Sequence, residues 1–187
     1  MNWQIDSAHS DITFSVRHMM ISKVRGRFKE FSGTVNFDED TPTNTSVHVE
    51  IDAASIDTQE TDRDNHLRSA DFLDVENFPK LIFVGKSVEQ TSEDTGKLIG
   101  DLTIRDVTKE VVLDVEYAGQ AKSPWGTYSA GFYGSTEINR KDFGLTWNQT
   151  LETGGILVGE KVKIEIDLEI VKQSAEEKEE SEEAVAA

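Results

Sequence analysis

The stretch VRGRFKEFSGTVNFD, residues 24–38, alternates between apolar and polar side chains and changes phase once. Val24 and Phe28 share one face of an extended chain, whereas from Phe31 onward the other alternate set takes that face. Because successive side chains of a strand point to opposite faces, the change requires an extra residue, and we predict a β-bulge near Glu30. Long, bent strands with interior glycines are typical of closed barrels.

The same period of two recurs along most of the chain. Apolar residues alternate with polar ones in segments 12–20, 46–52, 97–105, 110–117 and 161–170. One dry face and one solvated face per strand is the pattern of an antiparallel sheet rather than of βαβ units. The sequence therefore predicts an all-β fold, an antiparallel β-barrel of about eight strands.

One short helix is predicted between residues 57 and 68. Asp57 followed by Glu60 resembles a capping box, and Asp64 and Arg68 are spaced to form an ion pair on one helix face. A second short helical turn is expected at 140–143.

Two regions of the chain differ in composition. Residues 1–171 are predicted to form one barrel domain, since 187 residues fit a single domain of ordinary size. Residues 172–187 include six glutamates and lack any periodicity, so we expect a disordered acidic tail.

Composition limits the function classes. The chain carries 36 acidic and 19 basic residues, a net charge of −17, which repels phosphate backbones and anionic membranes and disfavours nucleic acid as a partner. The absence of cysteine excludes disulfides and thiolate chemistry. The first ten residues lack the features of a signal peptide, and no apolar stretch approaches the roughly 18 residues of a membrane span. We expect a cytoplasmic protein that does not insert into a membrane.

Motifs for catalysis or metal binding are weak. Asp62 and His66 share a helix face and could form a metal site with His9 or His18, but no HExxH motif is present, and a polar helix surface is the simpler interpretation. A GxSxG elbow and a glycine-rich phosphate loop are both missing. We predict no catalytic residue, no metal and no cofactor.

The predicted interior is rich in aromatic side chains. An eight-stranded barrel is just wide enough to be filled with side chains or to hold one ligand. Periodicity cannot distinguish these alternatives, and composition alone favours the packed core.

Several ordered motifs resemble the YceI-like family. They are DxxHS at 6–10, GxFxxFxG at 26–33, DxxLxSxDF at 64–72, GxLTI at 100–104 and NRxDFGLxW at 139–147. The resemblance covers residues 3 to 171. It implies an elongated, lipocalin-like barrel that encloses a long apolar pocket, and some members hold polyisoprenoids or other long-chain amphiphiles. It implies no settled catalytic residues, although many relatives carry a secretory signal.

On this basis we expect two sets of ligand-binding residues. The pocket wall comprises Phe14, Val16, Met20, Phe28, Phe31, Leu67, Phe72, Phe83, Phe132 and Trp147. The polar groups that contact the ligand head are His18, Arg63, His66, Arg140 and Asp142. Met20 suits a pocket wall because a flexible thioether adapts to a chain of variable shape.

Three functions follow as hypotheses. The first is binding, carriage or storage of a long-chain isoprenoid or other amphiphilic lipid. The second is an enzyme acting on such a lipid, with His18 or His66 as the acid–base group. The third is a stress-related structural or interaction protein with a filled core. Edge strands left by the alternation make a homodimer possible.

Overall fold

The computed structural model describes residues 3–172, and the predicted tail beyond Lys172 lies outside this range. The strands are β1 (Trp3–Ile5), β2 (Asp11–His18), β3 (Ser22–Phe28), β4 (Phe31–Asn36), β5 (Ser46–Asp52), β6 (Ile56–Asp57), β7 (Lys80–Gln90), β8 (Thr95–Ile104), β9 (Val107–Lys122), β10 (Tyr128–Asn139) and β11 (Val158–Lys172). One α-helix, α1, spans Thr61–Arg68, and short 3-10 helices lie at Pro42–Asn44, Ala53–Ser55 and Arg140–Phe143. The all-β prediction and the helical turn at 140–143 are confirmed.

The strands close into an antiparallel barrel. One edge of β11 pairs with β10, and its other edge pairs with β2 along its first part and with β1 at its end. The short strands β1 and β2 thus share one strand position around the barrel. The next two positions are each shared by two short strands, one by β3 and β4 and the other by β5 and β6. These three shared positions and the five single strands β7 to β11 give eight strand positions, as predicted.

The interruptions lie side by side across three neighbouring positions. They fall at residues 6–10, 29–30 and 53–55. Across the gap, the Lys29 N–H donates to the Ser55 carbonyl and the Asp52 N–H donates to the Glu30 carbonyl. The wall is therefore cross-linked where its ladders stop.

The change of phase at Glu30 is confirmed, because Phe28 and Phe31 both face the barrel interior. Its form differs from the predicted bulge. A bulge inserts one residue opposite a continuous partner strand, whereas here the partner, β5 with β6, is itself broken between Ile51 and Ile56.

The helix starts one turn later than its predicted cap. The carboxylate of Glu60 accepts hydrogen bonds from the N–H groups of Asp62 and Arg63, which makes Glu60 the N-cap. Asp57 instead accepts from the Gln59 N–H, so the capping-box interpretation was wrong. The structure contains no helix, within the described residues, that is long and apolar enough to cross a membrane.

The predicted Asp64–Arg68 ion pair does not form. Asp64 is buried and accepts from both the N–H and the hydroxyl of Thr58. The Arg68 guanidinium donates to the carbonyls of Ala54 and Ile56. These bonds attach α1 across one end of the barrel, which we call the helix end.

A second apolar cluster lies at the opposite end of the barrel, where β1 and β11 meet. Trp3 and Ile170 are fully buried there. The Phe37 ring lies 5.1 Å from that of Phe132 and 5.6 Å from that of Tyr117. We call this the loop end, after the 37–45 loop that carries Phe37.

The position of Gly33 on β4 requires the absence of a side chain. A Cβ at this position would overlap the carbonyl oxygen of His48 and lie 3.0 Å from the Cα of Val49. Both are backbone atoms of the paired strand and cannot rotate away. Gly131, on β10, differs because a Cβ there would lie 3.5 Å from the Cβ of Ala118, an ordinary contact.

We predict that Gly33→Ala lowers the free energy of unfolding by about 2 kcal/mol or more, since overpacking against fixed atoms typically costs about 1–3 kcal/mol. Gly131→Ala should change it by less than about 1 kcal/mol. Urea unfolding followed by circular dichroism measures both. Equal stability of the two variants would contradict the close-approach interpretation.

Candidate ligand-binding cavity

The barrel encloses a cavity of about 1150 Å³. It extends from α1 at the helix end to the 37–45 loop and the β7–β8 turn at the loop end, and inward-facing residues from strands around the barrel form its wall. Of the predicted wall residues, the structure places the following in the lining: Phe14, Val16, Phe28, Phe31, Leu67, Phe72, Phe83, Phe132 and Trp147. Their contact with a ligand stays a prediction.

The size of this cavity decides between a filled and a hollow interior. Protein cores normally contain few voids larger than a water molecule. A dry void of 1150 Å³, at about 24 cal/mol per Å³, would cost roughly 28 kcal/mol. That exceeds the total stability of a domain, about 5–15 kcal/mol. The volume must therefore be occupied, either by solvent or by an apolar molecule.

Met20 lies outside the cavity lining, in contrast to the expected pocket wall. Strand β2 ends at His18, two residues before Met20. The alternation that would point Met20 inward therefore does not reach this residue. Met19 and Met20 have φ angles of 51° and 63°, and both side chains are exposed at the turn into β3. Non-glycine residues in this conformation cost about 1–2 kcal/mol each.

Three of the predicted polar residues line the cavity at the helix end: His18, Arg63 and His66. The Nε and Nη2 of Arg63 donate to the hydroxyl and carbonyl of Thr58, at 2.7 and 2.8 Å. Its Nη1 has no hydrogen-bond partner among residues 3–172. Arg63 is thus fixed in place with donor capacity left over.

His66 is held by contacts with neighbouring side chains that the sequence did not predict. Its Nε2 lies 2.9 Å from a carboxylate oxygen of Asp71, and its ring meets Trp147 edge-on at 4.6 Å and Phe72 at 5.1 Å. Asp71 belongs to the DxxLxSxDF motif, which contained the available indication. The result is an oriented imidazole in an aromatic setting at the cavity mouth.

Arg140 lines the cavity and is bonded to the backbone, and its contact with a ligand head stays a prediction. It is 3 % exposed, and its guanidinium donates to the carbonyls of Leu145, Trp147, Val158 and Gly159. Burial lowers the pKa of this guanidinium from its usual value, and the charge of Glu160 opposes that shift. The side chain ties the loop before β11 to the barrel.

Asp142 also differs from its predicted place. It is exposed on the 3-10 helix Arg140–Phe143 and is absent from the cavity lining. In a one-turn 3-10 helix, a residue two positions after a buried one lies on a different face, so Asp142 is exposed when Arg140 is buried.

Acidic residues at the loop end were missed by the sequence analysis. Glu39, Asp40, Glu93 and Asp94 belong to the lining there. They lie between strands, where no periodicity indicates which side chains turn inward. The lining at the helix end also includes two carboxylates, Glu60 and Asp62, but Arg17, Arg63 and Arg140 outnumber them, so the two ends of the cavity differ in net charge.

The proposed combination of Asp62 and His66 with a further histidine does not assemble among the described residues. The structure instead brings together Asp6, His9 and Glu169, on the outside of the barrel. Asp6 accepts from His9 Nδ1 at 2.8 Å, a bond that lowers the pKa of Asp6 and raises that of His9. Ser10 completes the turn by bonding the backbone of Glu169. These contacts are turn hydrogen bonding at a strand entrance.

With this geometry established, comparisons with known proteins identify the family. A family model for the YceI-like domain matches residues 3–170. The chain belongs to the YceI-like family. It is 42% identical over 168 residues to a UPF0312 protein of Staphylococcus epidermidis, covering 89% of this chain and 95% of the relative. It is 40% identical over 169 residues to a UPF0312 protein of Staphylococcus aureus, covering 90% and 96%.

Solved structures with the YceI-like barrel superpose on most of this chain. A Campylobacter jejuni YceI protein has a TM-score of 0.73 at 33% identity, covering 90% of this chain and 96% of that one. Burkholderia cenocepacia BcnA has a TM-score of 0.78 at 24% identity, covering 88% and 98%. A polyisoprenoid binding domain from Saccharophagus degradans has a TM-score of 0.64 at 13% identity, covering 90% and 97%. The last two likenesses support the fold alone.

Arg140 provides a test of stability in this YceI-like barrel. We predict that Arg140→Gln lowers the free energy of unfolding by about 3 kcal/mol or more, since each buried polar group left unpaired costs about 1–3 kcal/mol. Lys141→Gln should lower it by less than about 1 kcal/mol, because Lys141 forms an exposed ion pair with Glu160. Denaturant unfolding measures both, and a mild effect of Arg140→Gln would return this residue to the list of candidate ligand contacts.

Proposed function

We propose that this YceI-like barrel binds a long-chain apolar or amphiphilic molecule of the isoprenoid or isoprenoid-quinone class, and carries or stores it. The observation that supports this most is the cavity of about 1150 Å³ along the barrel, with an apolar wall. A polyisoprenoid binding domain has the same barrel fold, so the fold is compatible with this ligand class.

The energetics of such a cavity favour long chains over short ones. Burial of each CH₂ contributes about 0.8 kcal/mol, so ten carbons contribute about 8 kcal/mol. Association itself costs about 4–15 kcal/mol. A short chain therefore gains little, whereas a chain that runs from the helix end to the Phe37–Phe132 cluster gains affinity without any polar partner.

The helix end is the better place for a polar head. Arg63 offers an unused donor there, beside His66 and His18. Carbonyl or hydroxyl oxygens of a quinone or alcohol head match such donors. The helix-end lining also includes Glu60 and Asp62, but with its arginines it carries less negative charge than the loop end, where Glu39 and Asp94 disfavour an electron-rich head. We infer that the ligand lies with its head at α1 and its tail toward Phe132.

One observation favours the alternative of an enzyme. The carboxylate of Asp71, 2.9 Å from His66 Nε2, fixes the imidazole as a carboxylate fixes a catalytic base. A turnover screen with isoprenoid quinones and lipid esters, with His66→Gln as the control, tests this alternative. The cavity supports the first hypothesis over the third, which requires a filled interior.

We predict that an organic extract of natively purified protein contains a long-chain lipid detectable by mass spectrometry. Gly134→Leu should remove most of it, because Gly134 lines the cavity and its added Cβ would lie 3.8 Å from Ile166 and Leu113. Displacing about four methylenes should weaken binding by about 3 kcal/mol, roughly 100-fold.

Gly131→Leu is the matched control, since Gly131 lies three residues earlier on β10, opposite the outward-facing Glu169. Both variants are checked for an unchanged circular dichroism spectrum. Equal lipid content in the two variants would contradict cavity binding.

The head-group assignment has its own prediction. Arg63→Met should reduce affinity for a quinone-headed isoprenoid by about tenfold or more, since a hydrogen bond to a charged group is worth about 1.5–3 kcal/mol. Affinity for the matching plain hydrocarbon should stay within about twofold. Arg68→Met, on the same helix but outside the cavity lining, controls for a general effect on α1. Equal losses for both ligands would remove Arg63 from the head-group site.

A further inference from the structure

The turn between β2 and β3 presents an apolar tip. Met19, Met20 and Ile21 are consecutive and have 41%, 61% and 82% of their surface exposed. Ile156, 37% exposed, continues this surface, because its neighbour Leu157 accepts a hydrogen bond from the Met19 N–H at 2.8 Å. Exposed apolar clusters of this kind mark interaction sites.

The strain at the tip comes from the residues that occupy the turn. Met19 and Met20 both have positive φ, a conformation that hairpin turns normally assign to Asn and Gly. Strained residues persist where they serve a function. Large apolar side chains at these two positions are therefore an additional indication of a binding role.

The two strands behind the tip carry basic side chains. Residues 12–29 contain five of the 19 lysines and arginines and no acidic residue. Arg17, Lys23 and Arg25 are exposed and form no salt bridge with any described residue. Arg17 and Lys23 are directly paired in the hairpin, one step behind the tip.

We propose that this hairpin docks on the surface of an anionic lipid bilayer. The tip residues enter the boundary between head groups and acyl chains, while Arg17, Lys23 and Arg25 contact lipid phosphates. An apolar insertion combined with a basic patch is the combination that gives stable yet reversible attachment. The net charge of −17 opposes approach. At physiological salt, however, carboxylates more than about 8–10 Å from the contact are largely screened.

The tip is adjacent to the cavity mouth. His18 and Leu157, which flank it, belong to the cavity lining. Docking through this hairpin brings the helix end against the bilayer, so that an apolar ligand can pass between membrane and barrel with little exposure to water. This consequence rests on the proposed function, whereas docking itself does not.

The experiment is flotation with vesicles that contain no isoprenoid. Vesicles of phosphatidylglycerol mixed with phosphatidylcholine are compared with vesicles of phosphatidylcholine alone. We expect the full chain to bind the anionic vesicles at least tenfold more tightly, and added salt to weaken the binding. The test variant combines K23Q and R25Q, and the charge-matched control combines K80Q and K109Q on the opposite wall.

The test variant should lose at least tenfold in vesicle affinity, and the control should lose less than twofold. A second variant, Met19→Asn with Met20→Gly, relieves the strained turn. It should raise the thermal midpoint or leave it unchanged while weakening vesicle binding. Absence of binding by the full chain, or equal binding by all variants, would overturn the proposal.

Lipid binding in solution separates the two proposals. The hairpin variants should take up a dispersed isoprenoid as the unmodified chain does, because none of the substituted residues lies in the cavity lining. If they take it up but still dock, the hairpin assignment is wrong and the proposed function stands. A change in oligomeric state on gel filtration, without a change in vesicle binding, would identify the tip as a contact between copies and also overturn docking.

Discussion

Closure of the barrel depends on β11, whose two edges are both used. One edge pairs with β10 from Lys161 to Val171, and the other pairs with β2 and then with β1. Without the second edge the sheet would be open and its apolar face exposed, with two unpaired edges prone to association. The turn at residues 6–10 connects the two short strands, and Asp6 and Ser10 bond the backbone of Glu169 across it.

Closure also explains why the interior is hollow. The number of strand positions, here eight, sets the diameter of the barrel. The inward side chains then either fill the interior or leave part of it empty. Here α1 lies across one end and the Phe37 cluster fills the other, while the volume between them stays open. Arg140 contributes by tying the loop that carries Trp147 to the first residues of β11. The cavity is therefore a property of the framework rather than of a single residue.

The sequence predicted those features that repeat along a strand. Alternation identified the strands, the inward faces and the change of phase between Phe28 and Phe31, because period-two burial leaves a direct trace. It failed where strands end: the pattern through Met20 continued past His18, where the ladder had stopped. The predicted helix start failed at Asp57 because two acidic residues lie close together: Asp57 accepts from the Gln59 N–H before the helix, and Glu60 accepts from the Arg63 N–H in its first turn.

Polar residues at the cavity were predicted only in part, for a related reason. Arg140 and Arg63 look alike in the sequence, but the first donates to several backbone carbonyls, whereas the second keeps a donor unused. That difference depends on which carbonyls the fold places within reach, and no local pattern encodes it. A family motif indicates that a residue is near the site and leaves its hydrogen-bond partners undetermined.

The charge distribution gives the barrel a direction. Acidic groups including Glu39 and Asp94 line the loop end, whereas the helix end carries Arg63 and lies beside the hairpin of Arg17 and Lys23. An anionic surface attracts the second end and repels the first, and such fields orient a molecule before contact. Since the donors for a polar head also lie at the helix end, the head of a bound chain would be the part nearest that surface. A chain would therefore enter tail first and leave head first through the same mouth, and the Phe37 cluster would act as the closed bottom of the barrel.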